Sequence, residues 1–140
     1  MSAEKSYSRF TSRLKVRPDD IDMFQHVHNS KYFDYVLAAR YEQMETCYGM
    51  SMEQFMKEGY GWVVKTAHVN FIRPLTLGES FTVTTGIVSM NEKEARVTYE
   101  IISEKTGKLC SDGWFDYVLI DLKTGRSRLI TQEMMDKYSI

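Results

Sequence analysis

The run Asp20-Ile21-Asp22-Met23-Phe24-Gln25-His26-Val27-His28-Asn29 gathers two carboxylates, two imidazoles and two side-chain amides within ten residues. A carboxylate can serve as a general base or a nucleophile, and an imidazole can carry a proton or orient a neighbour, so this density suits acid–base or acyl-transfer chemistry. Helical spacing begins just behind it, at Ser30 or Lys31. A loop that ends at a helix N-terminus offers N–H groups with no intrahelical partner and with partial positive charge, fit to grip an oxyanion or a polarised carbonyl. Taken alone, the residue types favour a loop-shaping or capping role for Asp22 over catalysis. His26 and His28, two apart in an extended stretch, would share a side, but two imidazoles and one carboxylate are too few ligands to argue for a metal, and none is expected.

The elements that must hold this loop can be read from periodicity. From Arg9 to Arg17, Phe10, Leu14 and Val16 alternate with Arg13, Lys15 and Arg17, a half-exposed strand that Pro18 ends. Between Lys31 and Tyr48, Phe33, Leu37, Tyr41, Met44 and Tyr48 recur at steps of three and four, with Val36 and Arg40 beside them. That spacing predicts a long helix, capped by Asn29 or Ser30 and stopped at Gly49. Ser51-Met52-Glu53-Gln54 has capping-box spacing and opens a short helix to about Glu58, a lid or wall for a pocket. Strands are expected at Tyr60–Phe71, Phe81–Val88, Ala95–Ile101, Leu109–Leu122 and Ser127–Ile130, and a terminal helix, capped by Thr131, at Gln132–Tyr138. The stretch from Trp114 to Ile120 is apolar on both faces, as a central or interface strand requires. Strands in sequence after one main helix argue for an α+β class, with an antiparallel sheet wrapped around the helix.

Composition narrows the function. The 140 residues suffice for one domain with a real core, here expected over 9–140 behind a frayed tail at 1–8. A formal net charge of -1 gives no reason to expect a nucleic-acid partner. Cys47 and Cys110 lack CxxC or zinc spacing and read as ordinary thiols of a reducing compartment. No segment has the length or composition of a signal peptide or a membrane span, so the expected address is cytoplasmic. There is no G-x-S-x-G, P-loop or G-x-G-x-x-G, hence no serine-hydrolase elbow and no nucleotide cofactor; no cofactor of any kind is expected.

The loop and helix start resemble the hotdog-fold thioesterases, in particular the group around 4-hydroxybenzoyl-CoA thioesterase. The family pattern, roughly D-x-D-x-x-G-x-V extended as G-H-V-N-N and followed by an aromatic pair, reads here as Asp20-x-Asp22-x-x-Gln25-His26-Val27-His28-Asn29 with Tyr32-Phe33 behind. A second resemblance lies in Asn70-Phe71-Ile72-Arg73-Pro74 followed by Gly78-Glu79. Two positions depart: Gln25 stands where the family has glycine, and His28 replaces the first asparagine of the pair.

The resemblance implies a hotdog fold and an acyl-CoA thioesterase, active as a homodimer or homotetramer with sites between subunits. It shifts Asp22 toward catalysis, as base or nucleophile, with the Asn29 N–H polarising the carbonyl and His26 orienting Asp22 or the substrate. His28, Tyr32 and Arg73 are the expected substrate contacts, Arg73 through a CoA phosphate. Asp20 shapes the loop, and His68 reads as a strand-face residue. Glu45 lies on the helix where some branches of the family carry an acidic catalyst, and reads equally as a solvated residue. The alternatives are a thioesterase for acyl carrier protein and a non-catalytic acyl-CoA-binding module, the latter favoured by Gln25 and His28.

Overall fold

A computed structural model of the protein describes residues 8–48 and 51–137. The expected tail up to Tyr7, the Gly49 stop and Tyr138 lie outside the described residues. Five strands form one antiparallel path in the order β1 (Arg9–Lys15), β3 (Ser80–Met90), β4 (Ala95–Ser103), β5 (Leu109–Asp121), β2 (Tyr60–Phe71). A two-residue β6 (Ser127–Arg128) takes up the edge of β5 at Leu119 and Ile120, beyond the point where β4 stops at Tyr117. β5 therefore runs between neighbours on both edges, which accounts for its two apolar faces within one subunit. In β4 strict alternation holds, Ala95, Val97, Tyr99, Ile101 and Ser103 turning inward. β5 and β2 approach most closely at Gly113, where a Cβ would stand 1.8 Å from the His68 carbonyl oxygen, so only glycine fits.

Helix α1 (Asn29–Thr46) packs its length on the inner face of this sheet. Phe33 meets Phe115 at 4.9 Å between ring centroids and Tyr35 meets Phe81 at 4.7 Å. The buried face is Tyr32, Tyr35, Val36, Ala39, Arg40, Gln43 and Met44: Val36, Arg40 and Met44 lie on it as periodicity suggests, with Phe33 and Leu37 half-buried beside it, whereas Tyr41 is exposed and Gln43, outside the apolar pattern, is buried. The correction has a physical cause. Gln43 and Arg40 are admitted to the core because partners await them: the Gln43 amide donates to Ser12 Oγ (3.0 Å) and accepts from Thr85, whose hydroxyl oxygen in turn accepts from Arg40 at 3.2 Å. A hydropathy pattern scores Gln43 as a surface residue and leaves Tyr41 on the face in its stead.

The cap expected at Asn29 or Ser30 is instead His28, whose imidazole Nδ1 accepts from the Ser30 N–H at 3.3 Å. Helix α2 (Met52–Lys57) starts as anticipated, Ser51 accepting from the Gln54 N–H, and packs Phe55 edge-on against Trp62. Thr131 accepts from the Met134 N–H at the head of α3 (Gln132–Lys137). Among the described residues no helix is long and apolar enough to cross a membrane.

Candidate active site

The loop between β1 and α1 is built around Asp20. Its carboxylate, 6 % exposed, accepts from the Tyr35 hydroxyl at 2.7 Å and from the Arg17 N–H at 3.1 Å, and its carbonyl accepts from the His28 N–H at 2.8 Å. Burial, and then this bond to a carboxylate, push the Tyr35 phenol far up, so that it serves as a permanent donor. Asp20 thus shapes the loop, as expected. Val27, buried at the loop's end, donates its N–H to the Leu75 carbonyl at 2.8 Å, and His26 bridges Thr76, which ties the loop to the chain that follows β2.

Within this frame Asp22 is half-exposed and fixed by its own turn. Oδ1 accepts from the Phe24 N–H at 2.9 Å and, more weakly, from the His26 N–H at 3.4 Å, while the Asp22 N–H donates to the His26 carbonyl at 2.8 Å. The carboxylate is thus oriented by backbone N–H groups, chiefly that of Phe24, with that of His26 in support. Oδ2 makes no hydrogen bond among the described residues, so it keeps its lone pairs for a water or a carbonyl carbon. The turn closes because Gln25 adopts φ 63°, the one non-glycine residue with positive φ among those described. Glutamine here holds the left-handed conformation for which the family pattern carries glycine, at a cost of about 1–2 kcal/mol.

At the head of α1 the neighbouring donors are spent, that of His28 on Asp20 and that of Ser30 on His28. The Asn29 N–H between them donates to nothing among the described residues. It lines, with Asp22, His26, Val27, Tyr32, Phe71, Ile72, Arg73 and Pro74, a cleft of about 300 Å³. Five of the six expected site residues share this cleft. His28 is not among the cleft's lining residues: its ring bonds Ser30 at 2.9 Å and caps the helix. Tyr32 is buried with its hydroxyl accepting the Leu75 N–H at 3.1 Å, so it contributes a ring wall and anchors the opposite lip of the cleft. Burial raises its phenol, despite the Leu75 bond. Arg73 is exposed; one guanidinium nitrogen donates to the Leu109 carbonyl at 3.1 Å, leaving the others toward solvent. Glu45 is exposed and lies outside the cleft, and His68 is an exposed strand residue stacked on Trp114 at 5.6 Å.

Phe71 and Ile72 are the cleft residues that motif reading passed over, exposed at 51 % and 45 % beside the polar groups. They belong to the Asn70-to-Pro74 stretch that resembles the family, so the signal that finds Arg73 also covers them.

Comparison with known proteins agrees with this architecture. The sequence profile of the Thioesterase-like superfamily matches residues 16–138. The long-chain acyl-CoA thioesterase FadM of Escherichia coli is 28% identical over 126 residues, which are 90% of this chain and 94% of FadM. The solved probable thioesterase YbaW of Escherichia coli superposes with a TM-score of 0.78 at 26% identity, covering 91% of this chain and 94% of its own. The DHNA-CoA thioesterase of Staphylococcus aureus superposes with a TM-score of 0.87 at 20% identity, over 94% of this chain and 89% of its own, a likeness of fold alone. The helix cradled in its sheet is the hotdog fold, and the chain belongs to the thioesterase-like superfamily.

Proposed function

We propose that this thioesterase hydrolyses acyl-CoA thioesters in the cytoplasm, with Asp22 and the Asn29 N–H as its chemical groups. The observation that carries the reading is one cleft holding both an uncommitted carboxylate oxygen, Oδ2 of Asp22, and an uncommitted N–H at a helix N-terminus. A thioester carbonyl has weak resonance stabilisation and a thiolate leaves readily, so a carboxylate is a strong enough base or nucleophile. Oδ2 either takes the proton of an attacking water or attacks the carbonyl carbon itself. Both routes place negative charge on the carbonyl oxygen, which the Asn29 N–H and the helix dipole stabilise by about 3 kcal/mol relative to a site without the donor. Collapse of the tetrahedral species expels CoA thiolate. On the direct route a second step, water on the acyl-aspartyl anhydride, frees the acid.

Phe71, Ile72 and Tyr32 supply apolar walls for the part of the substrate next to the thioester, and the free guanidinium donors of Arg73 suit a CoA phosphate. The His26 imidazole is exposed at the rim and can hold substrate there. FadM's long-chain acyl-CoA activity makes long acyl chains the first class to test. Among the described residues strand β2 leaves one edge unpaired, Phe71 and Ile72 line the cleft as exposed apolar surface, and Met23 and Phe24 stand exposed in the Asp22 loop. These features support a homodimer or homotetramer with the cleft at its interface. The test is release of free thiol from short, medium, long and aromatic acyl-CoA esters, with acylated carrier protein in parallel. Turnover of a CoA ester supports the reading; tight binding without thiol release would assign a binding module instead.

A further inference from the structure

Far from the cleft, at the other half of α1, a cavity of about 30 Å³ lies between α1, α2 and the sheet. Its walls include Met44, Met52 and Met90, unbranched side chains that can shift to admit a larger guest. Three hydrogen-bond donors also line it. Tyr117 is 5 % exposed, and its hydroxyl is buried without a partner among the described residues; the indole Nε1 of Trp62 is in the same state. The third is Arg40, also 5 % exposed.

Arg40 is the more unusual. Among the described residues it donates from a single guanidinium nitrogen, to Thr85 Oγ1 at 3.2 Å and Tyr48 Oη at 3.4 Å, with the Tyr48 ring 5.1 Å away. Among the described residues no carboxylate lies within ion-pair distance of it. A buried cation without a counter-ion is costly, and two buried donors without acceptors add to that cost. Burial pushes the Tyr117 phenol up to about 12, while the Arg40 charge works the other way, so the two groups feel one another across the cavity. Positive charge, three donors and thioether walls define one ligand chemistry: an anionic acceptor on an apolar stem.

We propose that this cavity binds a carboxylate carried on a hydrocarbon chain, with Arg40, Tyr117 and Trp62 donating to its oxygens. Arg40 stands about 16 Å along the helix axis from Asn29, so the site is separate from the cleft. The carboxylate can arrive on a free fatty acid, the product class of thioester hydrolysis, or as the far end of a dicarboxylic acyl chain. The second source rests on the function proposed above; the site itself does not.

Calorimetric titration with octanoate, using 1-octanol and methyl octanoate as uncharged controls, tests it on the intact protein. Octanoate should bind saturably and at least ten-fold more tightly than either control. Tyr117→Phe removes one oxygen and no apolar contact, so it should stay folded and bind octanoate at least ten-fold more weakly; Arg40→Gln, checked for fold by circular dichroism, should do the same. Equal binding of octanoate and octanol, no saturable binding, or unchanged binding by Tyr117→Phe would overturn the proposal. A KM for the mono-CoA ester of a long dicarboxylic acid ten-fold below that of the equal-length monocarboxylic ester, lost in Tyr117→Phe, assigns the substrate as source. Octanoate binding that leaves acyl-CoA KM unchanged assigns the free acid. Calorimetry needs no turnover, so failure of hydrolysis and failure of this site are separately visible.

Discussion

Among single residues, Gln25 bears most on how the turn that carries Asp22 is made. A side chain at φ 63° is strained, and glycine relieves the strain but adds freedom to the unfolded chain, so Gln25→Gly should stabilise the fold by about 1 kcal/mol. Urea denaturation reads this directly, and a loss of stability would mean that the glutamine side chain makes a compensating contact. His28 illustrates the converse, a departure from the family pattern that turns out to be structural. Because its imidazole accepts the Ser30 N–H, His28→Ala should cost about 1 kcal/mol and His28→Asn much less, while neither should alter KM by more than about two-fold. A large KM effect in both would restore His28 to the substrate. Asp22 and Asn29 were singled out by the resemblance to a family pattern, which could be matched because that pattern is local and tied to a helix start; the residue types alone favoured a capping role. The capping role of His28 was not, since asparagine and serine stood next to it and are the commoner caps.

At the level of elements, strand order and most boundaries could be read from alternation and turn residues, β3, β4 and β5 above all. The buried face of α1 could be read only in part, because a polar network helps decide it: Gln43 and Arg40 of the helix meet Ser12 of β1 and Thr85 of β3, far away in sequence, only when the helix packs on those paired strands. Cross-strand ion pairs likewise tie the elements to pH. Two parallel bonds from Arg96 hold Asp116 of the neighbouring strand, at 2.8 and 3.0 Å, and keep its carboxyl below the usual range. Burial would raise Glu79, but bonds from Ser103 and Thr76 outweigh it and its carboxyl is also lowered. A carboxyl lowered on folding adds stability that is complete above its unfolded value, near 4, and is lost as pH falls through the folded one. Stability should therefore drop below about pH 4. Asp116→Asn should be less stable at pH 7 and show a shallower drop, as urea midpoints from pH 7 to pH 3 would reveal; parallel profiles would remove Asp116 from the linkage.

For the whole molecule, the exposed Phe71 and Ile72 of the cleft, the exposed Met23 and Phe24 of the Asp22 loop, and an edge of β2 unpaired among the described residues are the apolar and edge surface that a partner subunit would cover. Light scattering at micromolar concentration should accordingly give a dimer or tetramer mass, and a monomer would leave that apolar surface to another use. What the sequence could not convey at this scale is the relation between its two pockets, since the donors of the second, Arg40, Trp62 and Tyr117, sit on three elements and carry no motif. In the proposed mechanism the function turns on one oxygen atom, Oδ2 of Asp22. The most direct measurement is thiol release from the best acyl-CoA ester by the native protein and by Asp22→Asn, with ester binding followed in parallel. Asparagine keeps an oxygen to accept the Phe24 N–H, so the turn should survive. The account predicts turnover lowered by about 10²–10⁴ with binding within a few-fold of native. Turnover that survives the substitution would contradict it and move the chemistry to another group.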